Sequence, residues 1–155
     1  MKSALLIACS SFLMTEQERA WALRLVRHKF TALGPHCEVL IGDAPWTDSH
    51  VYLLVRALGA NVSHFRCDNQ RINVRGSRTT VSDWPGRDRD AAMALALARA
   101  HDAGYAAEAL LLRASGAPHD DLRGLEAWQR ELGLPGNHFM FDPHDPTVPR
   151  PGERA

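Results

Sequence analysis

The sequence predicts an α/β fold: a Rossmann-like three-layer sandwich with a five-stranded, mainly parallel sheet. Two observations carry that prediction. Short apolar runs alternate with longer segments whose apolar residues recur every three or four positions, in the order βαβαβαβαβ. The first run, Ala4 to Cys9, is apolar throughout, which is the pattern of a strand buried on both faces of a parallel sheet. A length of 155 residues, 45% apolar and 23% charged, suits one domain with one full-sized core. That domain is expected over residues 1–141. A Pro-rich tail follows over 142–155, with little to bury.

Each element has its own signal. After the first strand, Thr15-Glu16-Gln17-Glu18 fits a capping box, in which Thr15 accepts a helix N–H and Glu18 reaches back. Leu23, Val26, Phe30 and Leu33 then repeat at helical spacing until Gly34-Pro35 stops the helix. Cys37 to Ile41 reads as the second strand. The second helix starts near Thr47 or Asp48, buries Val51, Leu54, Val55 and Leu58, and ends at Gly59. Asn61 to Arg66 alternates as a third strand. Residues 67–86 are polar, Arg-rich and end in Trp84-Pro85-Gly86, which predicts a long loop. An Ala-rich third helix runs from about Arg87 to Ala103, and Glu108 to Leu112 is the fourth predicted strand. Asp120 or Asp121 caps a fourth helix with Leu122, Leu125, Trp128 and Leu132 inward. Asn137 to Phe141 closes the pattern as a fifth strand.

The bulk numbers exclude several classes. With 18 basic and 18 acidic residues the net charge is zero, which argues against a general nucleic-acid or membrane-surface binder. Cys9, Cys37 and Cys67 are widely spaced and odd in number, so neither a disulfide framework nor a zinc site is expected. His138, Asp142, His144 and Asp145 have the right types for a metal. They crowd into a Pro-rich stretch with no helical i, i+4 pair, so neither a metal nor a cofactor is expected. The opening MKSALLIACSS has an apolar run too short for a signal peptide and is followed at once by a capped helix. No run is long enough to span a bilayer, and the cytoplasm is the expected location.

There is no GxGxxG after the first strand, no GxxxxGK[ST] and no GxSxG elbow. What stands at the strand ends instead is a set of small and polar residues. Cys9-Ser10-Ser11 follows the first strand, and Gly42-Asp43-Ala44-Pro45-Trp46 the second, with Asp48 at the next helix start. Gly86-Arg87-Asp88-Arg89-Asp90 opens the third helix, and Ser115-Gly116 follows the fourth strand. In open parallel sheets ligands lie beyond the carboxyl ends of the strands, where the strand order reverses. Small residues there let a ligand reach backbone N–H groups, and helix starts offer free donors to anions. Asp43 and Asp48 are candidates for hydrogen bonding a ribose, or a turn residue and a helix cap. Arg89 is a candidate phosphate ligand. Trp46 could stack on a base, cover the loop, or sit at a dimer contact. Cys9 reads as a small buried residue lining the site.

The order of these loops resembles the SLOG superfamily, Rossmann-like domains that include the LOG phosphoribohydrolases and the DprA-type DNA-binding proteins. The chain is most similar to the small YspA-like branch. That branch has Gly-Ser-Arg after the first strand, where Cys9-Ser10-Ser11 stands here. It has a Gly-Gly/Asp-Ala-x-Gly-x-Asp loop, matched by Gly42-Asp43-Ala44-Pro45-Trp46-Thr47-Asp48. It has Gly-Pro-x-Arg-Asn-x-x-Met, matched by Gly86-Arg87-Asp88-Arg89-Asp90-Ala91-Ala92-Met93. The resemblance covers residues 3–141. It implies a nucleotide-like small molecule bound by Cys9, Ser10, Ser11, Gly42, Asp43, Ala44, Trp46, Asp48, Gly86, Arg89, Ser115 and Gly116. It also implies N-glycosidic bond hydrolysis, with Asp90 or Glu126 as the acid. The LOG enzymes carry Pro-Gly-Gly-x-Gly-Thr-x-x-Glu after the fourth strand. This chain has RASGAPHDDLRGLE there, without Gly-Gly or Gly-Thr, and Glu126 sits at a different offset. A non-catalytic sensor or adaptor for a nucleotide signal is therefore the alternative, with a nucleic-acid-binding module behind it. Ala-rich helix faces are compatible with a homodimer.

Overall fold

In a computed structural model of the chain, residues 2–9, 15–42, 47–67, 78–85, 88–113 and 123–140 are described. Ten elements follow in order: β1 (Ser3–Cys9), α1 (Glu16–Leu33), β2 (Cys37–Ile41), α2 (Thr47–Ala57), β3 (Asn61–Cys67), β4 (Thr79–Trp84), α3 (Asp88–Asp102), β5 (Ala106–Arg113), α4 (Arg123–Glu131) and β6 (Gly136–Met140). The strands form one sheet in the order β4-β3-β2-β1-β5-β6, and every neighbouring pair is parallel. The predicted α/β sandwich is thus observed, with six strands rather than five. The extra strand, β4, lies inside the stretch 67–86 that the sequence predicts as loop.

β1 sits at the centre because it alone is apolar enough to be covered on every side. All seven of its residues are buried. Its alternate side chains feed two separate core layers. Leu5, Ile7 and Cys9 face α1 and α2, where they meet Trp21, Leu25, Val26, Phe30, Val51 and Val55. Ala4, Leu6 and Ala8 face the other way, toward Met93 and Leu97 of α3 and Leu125 of α4. Much of the Ala content of α3 is used inside the chain: Ala92, Ala96, Ala98 and Ala100 pack against this second layer, and Ala94 is buried beside Leu6 and Leu97.

Local signals close the elements. The capping box at α1 forms as the sequence predicts: Glu18 N donates to Thr15 Oγ1 at 3.1 Å and Thr15 N donates to Glu18 Oε1 at 3.3 Å. Gly34 ends the helix, its N–H returning to Phe30 O and Thr31 O. β4 is held to β3 by the ladder and by a two-pronged ion pair, in which Arg66 Nε and Nη2 donate to Asp83 Oδ1 and Oδ2 at 2.9 and 3.0 Å. Tyr52 of α2 covers this side of the sheet, its hydroxyl 2.9 Å from Thr79 Oγ1 and its ring edge-on to the buried His64.

From β1 the chain builds outward through β2 and β3 to β4, then α3 carries it back to β5 on the far side of β1. The direction of winding therefore reverses beside β1. α3 makes this return diagonally and touches β1, β2, β3, β4 and β5. Its first turn is left at the carboxyl edge of the sheet, near the ends of β2 and β4.

Candidate functional site

Four chain segments arrive at that edge. β2 ends at Ile41 and runs into Gly42, which is buried. α2 brings Asp48 in its first turn, only 4% exposed. β4 ends at Trp84, whose ring stacks on Phe65 and whose Nε1 donates to Ser82 Oγ at 2.8 Å. Pro85 then turns the chain into α3, its carbonyl accepting from Asp88 N at 3.0 Å. That turn fixes where Arg89 and Asp90 leave the helix. α4 enters from the other side with Gly124 in its first turn.

Two glycines mark the points of closest approach. A Cβ placed on Gly42 would lie 3.4 Å from Asp48 Oδ2 and 3.7 Å from both Cζ and Nε of Arg89. The guanidinium of α3 and the carboxylate of α2 therefore come together over a backbone position with no side chain of its own. A Cβ on Gly124 would lie 3.3 Å from Asp90 Oδ2. Arg89 and Asp90 are linked in turn: Nε and Nη2 of Arg89 both donate to Asp90 Oδ1 at 3.3 Å. Their side chains keep 21% and 29% of their exposure. The cluster is thus partly covered and mixed in charge, one guanidinium between two carboxylates. Both carboxylates stand in first turns of helices, where the helix dipole favours negative charge.

Of the sequence-predicted residues, the structure brings together Gly42, Asp48, Arg89 and Asp90. Asp48 is not the capping residue but stands inside α2. Cys9 is buried in the layer facing α1. Glu126 lies in the first turn of α4, two positions beyond Gly124 and so about 200° further around the helix. The Gly124 direction, not that of Glu126, faces Asp90. Ser10, Ser11, Asp43, Ala44, Trp46, Gly86, Ser115 and Gly116 lie outside the described residues, as do Asp142, His144, Asp145 and the tail. Among the described residues no three metal-ligating side chains gather. No described helix is long and apolar enough to cross a membrane.

Sequence reasoning missed Gly124 and β4. Gly124 is one of many glycines in the chain, and its meaning depends on Asp90, which is remote in sequence. For β4 a signal existed: Thr79-Thr80-Val81-Ser82 is rich in β-branched residues and bounded by Gly76-Ser77 and Pro85-Gly86.

Arg66 and Arg78, on either side of residues 68–77, are both engaged within the chain. Arg66 is gripped by Asp83, and Arg78 Nη1 donates to Gly59 O at 2.8 Å. Burial pushes the Cys37 thiol up to about 11, so that cysteine is a neutral core residue at ordinary pH.

Together the fold and the cluster define a doubly wound parallel α/β domain with a guanidinium and two carboxylates at the carboxyl edge of its sheet. No family model matches the chain, and no curated protein matches it.

Proposed function

We propose that the chain binds a phosphate-bearing nucleotide derivative at the carboxyl edge of the sheet, beside the point where the strand order reverses. The observation that carries this is the meeting of Arg89 with Asp48 over Gly42. An arginine supplies forked donors for phosphate oxygens. An aspartate beside it accepts from sugar hydroxyls. Because Gly42 has no side chain, Asp48 and Arg89 can both close over its backbone. The resemblance of these loops to the SLOG superfamily points to the same ligand class. If the bound nucleotide is cleaved, the bond broken is the N-glycosidic one, and of the two acids Asp90, which stands in the cluster, is the candidate, since Glu126 leaves α4 on another side.

Binding without turnover, in a sensor or adaptor, is the second reading. One contact favours it. Asp90 already touches the guanidinium of Arg89 and the first turn of α4, which suits a structural or electrostatic role better than proton transfer. A nucleic-acid role draws less support, since Arg66 and Arg78 are engaged within the chain. A homodimer and a cytoplasmic setting are compatible with this reading and are not needed by it.

The test uses the full chain with a panel of nucleoside 5′-monophosphates and ribose 5-phosphate, read by calorimetry and thermal shift, with released base measured in parallel. Saturable binding is expected, and Arg89→Ala should weaken it about tenfold or more, the scale of one charge-assisted hydrogen-bonded contact. Release of base would assign hydrolysis; binding alone would assign the sensor. Absence of binding by any member of the panel rejects both.

A further inference from the structure

Among the described residues two arginine–aspartate pairs are built differently, and the difference bears on how the proposed site works. Arg66 and Asp83 sit on neighbouring strands in register. Their planes can lie parallel, and each of two nitrogens meets its own oxygen, at 2.9 and 3.0 Å. This is the saturated side-on arrangement that makes guanidinium–carboxylate pairs strong. Arg89 and Asp90 are adjacent on a helix, so their side chains leave it about 100° apart. The carboxylate reaches the guanidinium with one oxygen only: Nε and Nη2 share Oδ1, both at 3.3 Å. The other oxygen, Oδ2, is turned to the first turn of α4, against Gly124.

A carboxylate that serves two guanidinium nitrogens with one oxygen holds them less firmly than a two-pronged one and can be exchanged. A phosphomonoester presents two oxygens at the spacing of the Nε–Nη2 edge and could make the two-pronged contact that Asp90 cannot. Asp90 would keep a favourable place on releasing Arg89, because Oδ2 already lies at the positive end of α4. Asp48, the other carboxylate in the cluster, is nearly fully buried and cannot withdraw in the same way.

We infer that Asp90 is a built-in counter-ion of Arg89, which an incoming phosphomonoester displaces toward α4, so that Asp90 sets how strongly the site discriminates among anions. This inference rests on the phosphate-binding role given to Arg89 above. Asp90 is then a positioning and specificity residue rather than the acid of a hydrolysis. It lowers affinity for all anions and lowers it most for those that cannot make the two-pronged contact. Chloride and other single-point anions are excluded, while a phosphomonoester is admitted.

The experiment measures the affinity of the full chain for inorganic phosphate, adenosine 5′-monophosphate and chloride, in the native protein and in Asp90→Asn, Asp90→Ser and the double variant Arg89→Ala with Asp90→Asn. Asp90→Asn keeps the shape and removes the charge; Asp90→Ser serves if the first variant does not fold. Both should bind phosphate and the monophosphate about tenfold more tightly than the native chain, with chloride now competing. The double variant should lose the gain. A residue needed only to hold α3 and α4 together would weaken binding when changed, so unchanged or weaker binding in both single variants overturns the inference while leaving the phosphate site standing. Absence of binding in the native chain and in every variant overturns the phosphate site itself. A double variant that binds as tightly as Asp90→Asn would show that Arg89 is not the phosphate ligand, and rejects both.

Discussion

The two faces of the sheet are packed with different materials. Toward α1 and α2 the strands present Leu5, Ile7, Val39, Ile41 and Leu110, and the helices answer with Trp21, Leu25 and Phe30. Toward α3 and α4 they present Ala4, Ala8, Ala107 and Ala109 among the larger Leu6, Leu40, Phe65 and Leu111, opposite an Ala-rich helix that adds Met93 and Leu97 as its buried bulk. Small residues on both sides of a contact let helix and sheet approach closely. On the second face that closeness serves a purpose beyond stability. It lays α3 across five strands and delivers its first turn to the end of β2. One face is built as mass, the other as a platform, and the charged cluster forms where they meet: Gly42 and Asp48 belong to the β2–α2 side, Arg89, Asp90 and Gly124 to the α3–α4 side.

Trp21 is the first place to break this contrast. Its side chain is 1% exposed and is the largest in the first layer. Trp21→Ala should cost about 3–5 kcal/mol, from lost burial and an uncollapsed cavity. Met93→Ala, equally buried on the other face, should cost less, about 2–3 kcal/mol, since small neighbours can close in. Urea unfolding of both variants checks the order. Equal losses would mean that the Ala-rich face is packed as rigidly as the other.

Alkaline stability separates the faces next. Cys37 lies in the α1-facing layer at the start of β2, beside β1. Burial is the main reason its thiol is raised from 9.0 to about 11; the carboxylates of Glu38 and Glu108 add to the rise, and a hydrogen bond with Ser3 opposes it. The folded state therefore holds the thiol proton more tightly than the unfolded chain does. The resulting stability is fully present below pH 9 and is lost as pH climbs from 9 to about 11, amounting to about 2 kcal/mol. The difference in unfolding free energy between the native chain and Cys37→Ala, followed from pH 7 to 11, should shrink by that amount. A constant difference would place the thiol in a wetter setting than its 1% exposure implies.

How much of this was legible in the residues follows the same contrast. Elements that make their own signal were legible: the apolar run of β1, the Thr15–Glu18 box, and the stops at Gly34 and Gly59. β4 was not, because an edge strand buries little. Its Thr80, Val81 and Asp83 are exposed, so the apolar run that marked the other strands is missing, and the polar stretch before it masks its start. At the carboxyl edge, Gly42, Asp48 and Arg89 stand out in the sequence by their positions at strand and helix ends. Their convergence needs the diagonal path of α3, and the contact of Asp90 with Gly124 needs the docking of α4. Neither has a local signature, since both are set by the small side chains that line the second face.

The smallest expected effect tests that platform directly. Leu6, Ala94, Leu97, Ala109 and Leu125 line a small, half-open apolar gap of about 10 Å³ between the sheet, α3 and α4. Ala109→Val adds two methyl groups at its wall, in a strand where a β-branched residue is favoured. Part of the added volume fills space that is empty, so the change should stabilise the fold, by at most about 1 kcal/mol, or a rise of a few degrees in Tm. The same substitution at Ala22, 0% exposed in α1 against the first face, overpacks a buried position and puts a β-branched residue in a helix, and should destabilise by about 1–3 kcal/mol. Opposite signs for one chemical change would follow from the two packings together with valine's preference for strand over helix. If Ala109→Val destabilises as much as Ala22→Val, α3 has no slack against the sheet, and its first turn is held at the end of β2 as rigidly as the helices of the other face.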